Sequence, residues 1–121
     1  MNNHKFLGNH ILAELYDVDE RGSTNKRKLI KALLVGIKKA GATPIKTVTY
    51  KFKPEGMTIF ILLKESHVSL HIYPEFKAIF FDAFTCGTAN PEVILKELTK
   101  MLSPQEIKIK NISRGIIESS S

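Results

Sequence analysis

Polar and apolar residues alternate through residues 10–17, where Ile11, Ala13 and Leu15 fall on one face; this predicts a strand. Residues 19–24 are polar and include Gly22, which predicts a loop, with Ser23 or Thr24 placed to cap the helix after it. The period then becomes helical. Leu29, Ile30, Leu33, Leu34 and Ile37 form one stripe that runs to about Ala40, and Gly41 suits a C-terminal stop. Period two returns in residues 44–52, where Val48, Tyr50 and Phe52 share a face and Lys51 points away. Pro54, Glu55 and Gly56 predict a turn. Residues 58–63 are almost continuously apolar, and residues 67–73 and 77–85 give two more strands around a turn at Pro74. Asn90, Pro91 and Glu92 supply a cap, a first-position proline and an acid, the marks of a helix start. Val93, Ile94, Leu95, Leu98, Met101 and Leu102 form that helix's apolar face, Ser103–Pro104 ends it, and residues 106–112 alternate as a last strand.

The order is therefore β-α-β-β-β-β-α-β. Strand runs between isolated helices predict an α+β two-layer sandwich: an antiparallel sheet with two helices packed on one face. A chain of 121 residues is enough for one domain, expected over residues 1–118, with a disordered tail at 119–121.

Composition narrows the function classes. No stretch approaches the roughly 20 apolar residues that span a bilayer, and Met1–Lys5 leads into no signal-like apolar run, so no membrane association is expected. Net charge is +6, much of it on Lys26, Arg27, Lys28, Lys31, Lys38 and Lys39. These read as the solvated side of the first helix, and no aromatic residues interleave with them, so no nucleic-acid partner is expected. The single cysteine, Cys86, excludes an internal disulfide and reads either as a small buried hydrophobe or as a reactive thiol in a reducing compartment.

Residues 64–87 carry the unusual chemistry. A carboxylate, hydroxyls and two imidazoles interrupt a run that otherwise reads as core. Val68, Leu70 and Ile72 face one way; His67, Ser69, His71 and Tyr73 face the other. His67 and His71 as metal ligands would have only Glu75 as a nearby third, so no metal is expected. A Cys86–His71 hydrolase lacks any oxyanion loop or local signature. From the residues alone, the ordinary alternative is a polar strand face with satisfied histidines.

Glu65-Ser66-His67, Ser69, His71, Pro74-Glu75 and Asp82 through Phe84-Thr85-Cys86-Gly87 together resemble the signature of the short prokaryotic S-adenosylmethionine decarboxylases. The likeness extends over about residues 8–114, with Gly8–Tyr16 similar to the family's opening strand. It implies a proenzyme that cuts itself between Glu65 and Ser66, giving chains 1–65 and 66–121, with Ser66 converted to a pyruvoyl group. Such a terminal ketone condenses with a substrate's amino group as a Schiff base and acts as an electron sink, so no added cofactor is implied. The resemblance also implies residue roles. His71 assists processing, Cys86 returns a proton after decarboxylation, Phe52 stacks on the adenine and Glu75 holds the ribose hydroxyls. Thr58 falls where a serine involved in processing is common, Tyr73 where a tryptophan is usual and Ile72 where threonine is common. The implied substrate is S-adenosylmethionine, whose decarboxylated product donates aminopropyl groups for spermidine. The implied setting is cytoplasmic, and the implied assembly is a homodimer with active sites at its interface.

The rival readings are a pyruvoyl-dependent arginine or ornithine decarboxylase, a non-catalytic regulatory paralogue and a basic nucleic-acid module. Phe52 and Glu75 favour the nucleoside substrate, since a small amino acid has no adenine or ribose to hold. Strict alternation sets Ser66 and His71 on opposite faces of one strand. They can cooperate only if the chain bends near Ser66, as at a strand start; after cleavage residue 66 is a terminus and need not obey the pleat.

Overall fold

A computed structural model describes residues 6–115. The tail expected at 119–121 lies outside them. The strands are β1 (Leu7–Tyr16), β2 (Pro44–Lys51), β3 (Met57–Leu63), β4 (Ser66–Tyr73), β5 (Ala78–Cys86) and β6 (Glu106–Gly115). The helices are α1 (Glu20–Ser23), α2 (Lys26–Ala40) and α3 (Pro91–Leu102), and Pro74–Phe76 forms a single 3-10 turn. The strands make one antiparallel sheet in the order β2-β3-β4-β5-β1-β6. The expected α+β sandwich is what forms.

Local chemistry sets most boundaries. Asn90 caps α3 with Pro91 in its first turn, and Gly41 closes α2 at φ 90°, a left-handed conformation that costs glycine little. Two expectations need correction. Residues 19–24 are not all loop: Asp19 caps the four-residue α1, a helix too short to show a period in sequence. The cap of α2 is Asn25, whose side chain accepts from the Lys28 N–H at 3.0 Å, not Ser23 or Thr24. Thr24 and Ser23 instead bond back to the Glu20 carbonyl.

The core lies between the sheet and α2 with α3. Leu29, Leu33 and Ile37 of α2 and Ile94 and Leu98 of α3 meet Ile11, Leu15, Ile59, Ile61, Leu70, Ile79 and Phe81 of the strands, all essentially excluded from solvent. Burial of each such side chain stabilises by about 1.5–3 kcal/mol relative to exposure. Gly36 lets the helices touch, since a Cβ there would stand 2.8 Å from Ile94 Cα. Glu97 of α3 bonds Lys39 of α2 at 2.7 Å and Lys100 at 3.0 Å, and those ammonium donors hold its carboxyl below the usual range. The basic residues of α2 are exposed, as their side of the stripe requires.

The helices cover one face of the sheet and leave the other open. On that open face Leu12, Phe80, Leu62, Ile112 and Val48 are 38%, 41%, 43%, 43% and 50% exposed. This explains the nearly continuous apolar run of β3. Met57, Ile59, Ile61 and Leu63 face the helices, while Phe60 and Leu62 face outward. Strands apolar on both faces are the pattern of sheets covered on both sides. Among the described residues no helix is long and apolar enough to cross a membrane.

Candidate active site

β4 carries the chemistry-bearing residues, and its two ends differ. It begins at Ser66, directly after the Lys64–Glu65 turn from β3, and stays in unbroken register with both neighbours. At this first end Cys86, the last residue of β5, donates its S–H to the Glu65 carbonyl at 3.3 Å. A cavity of about 270 Å³ lies beside them, lined by Gly41, Thr43, Glu65, Ser66, Cys86 and Ala89. A second, of about 460 Å³, is lined by Phe6, Gly8, Glu65, Phe84, Cys86 and Arg114. Ser66 and Cys86 are both half-buried, accessible to a small molecule.

The other end gathers the remaining residues singled out from sequence. Thr58 and His71 stand opposite one another across β3 and β4, with Thr58 Oγ1 2.9 Å from His71 Nδ1. Phe52 stacks on Tyr73 with ring centres 6.2 Å apart and lines a cavity of about 250 Å³ with Gly56, Met57, Ile72 and Pro74. Glu75 is exposed on the 3-10 turn that comes after β4. Phe52, Thr58, His71 and Glu75 thus form one group, and Ser66 and Cys86 form another. Five residues of extended chain separate Ser66 from His71, about 16 Å. The bend near Ser66 that would bring them together in one chain does not occur.

Between the two ends lies a cluster that periodicity did not reveal. Asp82 of β5 bonds the Nε2 atoms of two histidines, His10 of β1 through Oδ1 and His67 of β4 through Oδ2, the latter at 3.2 Å. Arg114 of β6 reaches His10 Nδ1 at 3.3 Å and lies over the Phe84 ring, 4.9 Å from its centre. The pairing of His67 with His71 considered from sequence is absent, since each imidazole has a different partner.

A family model described as S-adenosylmethionine decarboxylase matches residues 9–115. The chain belongs to the S-adenosylmethionine decarboxylase family. It is 39% identical over 115 residues to an S-adenosylmethionine decarboxylase proenzyme of Methanococcus maripaludis (strain C5), covering 94% of each chain. It is 36% identical over 113 residues to S-adenosylmethionine decarboxylase proenzyme 2 of Bacillus cereus, covering 93% of this chain and 92% of the relative. The crystal structure of the adenosylmethionine decarboxylase from Aquifex aeolicus superposes with a TM-score of 0.82 at 34% identity, over 97% of this chain and 98% of that one. The reading of the sequence as a carboxy-lyase stands on this membership, and nothing in it favours the non-catalytic or nucleic-acid alternatives.

Proposed function

We propose that the chain cuts itself between Glu65 and Ser66, and that two copies then form a homodimer that decarboxylates S-adenosylmethionine. The observation that carries the reading is the division of the site between the ends of β4. The imidazoles on the Ser66 and Cys86 side, His67 and His10, are both bonded to Asp82. His71, with Thr58, Phe52 and Glu75, stands at the other end, about 16 Å along the strand from Ser66. A two-fold axis lying between two open sheet faces, perpendicular to β4, sets each first end over the partner's second end. It also buries the apolar open faces against each other.

Cleavage starts at the first end. Ser66 Oγ attacks the Glu65 carbonyl carbon, the C–N bond breaks, and an ester replaces the amide as the hydroxyl proton passes to the freed amine. The Cys86 S–H already points at the carbonyl oxygen where negative charge develops. A base next removes the Cα proton of residue 66, the Cβ–O bond breaks, and residues 1–65 leave as a carboxylate. Hydrolysis of the remaining dehydroalanine releases ammonia and leaves a ketone at the new N-terminus. His71 of the partner copy suits the role of base: in the tautomer whose Nδ1–H donates to Thr58 Oγ1, the Nε2 lone pair is free to take the proton.

The residues around Ser66 fit such a terminal group, because the half-buried residue opens onto the 270 Å³ cavity with a thiol beside it. The pyruvoyl ketone, once formed, supplies an electron sink for loss of a carboxylate from an α-amino acid. Phe52 offers a face for the adenine and Glu75 accepts from the ribose hydroxyls. Cys86 holds on Sγ the proton the product needs where its carboxylate has left. A lone reduced thiol in this role suits a cytoplasmic setting.

Carbon dioxide release from carboxyl-labelled substrates tests the assignment. Release is expected from S-adenosylmethionine and not from arginine or ornithine; release from either amino acid in place of S-adenosylmethionine would overturn the substrate reading. Cys86→Ala tests the proton donor. Cleavage should persist but slow, through loss of the contact to the Glu65 carbonyl. Turnover of the cut protein should fall about 100-fold or more, the scale of one general acid. Unchanged turnover would remove Cys86 from the role.

A further inference from the structure

We infer that Asp82 is a positioning residue for self-cleavage, holding the tripeptide Glu65–Ser66–His67 against β5 through the His67 imidazole. The inference rests on the reading of Glu65–Ser66 as the bond that is cut.

β5 grips this tripeptide at two points that flank the serine. Cys86 bonds the Glu65 carbonyl before it, and Asp82 bonds the His67 ring after it. Asp82 stands opposite Ser69 and His67 opposite Phe84, so the contact between them runs diagonally across the pair of strands. The ring of His67 has little freedom besides. It stacks on Phe60 at 16° with centres 5.8 Å apart, and meets His10 edge-on at 6.0 Å. Its orientation, and with it the start of β4, is therefore fixed on several sides.

Arg114 determines the proton positions. A guanidinium only donates, so His10 Nδ1 must accept from it. His10 then carries its proton on Nε2 and donates to Asp82 Oδ1. The second carboxylate oxygen is left for His67, which donates from Nε2. Four strands are joined in one line, β6 to β1 to β5 to β4, with the carboxylate as its centre. The three ligand-type groups, His10, His67 and Asp82, also lie close enough to suggest a metal site. The same proton count argues against one. A metal on His10 Nε2 would require that lone pair and turn Nδ1 into a donor facing the Arg114 donor. As hydrogen-bond partners the three groups are satisfied.

A carboxylate accepts from both imidazoles; an amide of the same shape accepts through one atom only and turns a donor toward the other. Asp82→Asn should therefore slow the appearance of the two fragments about tenfold or more, the scale of a lost hydrogen bond to a charged group. The rate of cutting should fall further than kcat of the fraction that is cut, and Asp82→Glu should recover part of the loss. Two variants at His67 carry the test if Asp82→Asn does not fold. His67→Phe keeps a ring on Phe60 but has no donor and should cut slowly. His67→Gln keeps a donor near the Nε2 position and should cut faster than His67→Phe. Cutting is monitored by intact mass, with melting temperature measured in parallel. The inference is overturned if wild type cuts and Asp82→Asn or His67→Phe cuts equally fast. It is also overturned if cleavage and kcat fall together with a collapse in melting temperature, or if elemental analysis finds one transition-metal ion per wild-type chain that Asp82→Asn loses. A wild-type chain that never cuts would instead remove the reading on which the inference rests.

Discussion

Ser66→Ala remains one uncut chain and releases no carbon dioxide from S-adenosylmethionine. The expected effect is total because two steps depend on a single atom. Without Oγ nothing at the Glu65–Ser66 bond can exchange amide for ester, and without the ester there is no leaving group for elimination. The ketone is never made, and no other group among the described residues offers an equivalent electron sink. The fold should survive, since Ser66 is half-buried at the edge of the core and alanine removes only its hydroxyl. A melting temperature near that of wild type, with an intact mass for the whole chain, would show that chemistry alone was lost. Fragments from Ser66→Ala, or carbon dioxide release without cutting, would defeat the self-processing reading. Background alone could not mimic the expected contrast, because wild type run alongside should give two masses divided before Ser66.

Much of the fold was legible because its elements declare themselves locally. The α2 stripe at Leu29, Leu33 and Ile37 and the start of α3 at Asn90–Pro91 need no distant partner to be read. The alternation of β1, with Ile11, Ala13 and Leu15 inward, is equally local. What failed was short or ambiguous. α1 is four residues long and contains a glycine, so no period can build up, and the cap of α2 falls on Asn25, one residue past the Ser23 and Thr24 read from sequence. The candidate site was legible as a set of residue types but not as an arrangement. Sequence spacing set Ser66 and His71 on opposite faces, and a local bend near Ser66 was the one way read from sequence to join them. Register decided otherwise: the continuous pairing of β4 with β3 and β5 keeps the strand straight and the two ends apart. The Asp82 cluster was beyond reach for a related reason. Its histidines stand 72 and 15 residues from it in sequence, and only the strand order β4-β5-β1 brings them together. The apolar open face was written in β3 all along, but a run with both faces apolar does not say what covers the second face.

That second face leads to the other large effect. Mixing two inactive chains, Ser66→Ala and His71→Ala, should restore activity. Each is expected to be inactive by itself, the first for want of the nucleophile and the second for want of the base that removes the Cα proton. In a homodimer of either chain both sites carry the lesion. In a mixed dimer the lesions segregate. One site combines the Ser66→Ala first end with the His71→Ala second end and is doubly damaged. The other combines an intact Ser66 and Cys86 with an intact His71, Thr58, Phe52 and Glu75. Random pairing of equal amounts makes about half the dimers mixed, each with one whole site of two, so about a quarter of wild-type activity should return on co-expression. The cut fragments should derive from the His71→Ala chain, which alone retains the serine, and intact mass distinguishes the two chains. The pair Ser66→Ala with Cys86→Ala is the control. Both lesions fall at the first end of β4, so in a mixed dimer one site lacks the serine and the other lacks the thiol. Neither site is whole, and activity should stay at the low level of Cys86→Ala alone. Recovery in the control equal to that of the test pair, or none in either, would mean that the site is not shared between two copies. The roughly 16 Å between Ser66 and His71 would then have to be closed within one chain, against the register of β4.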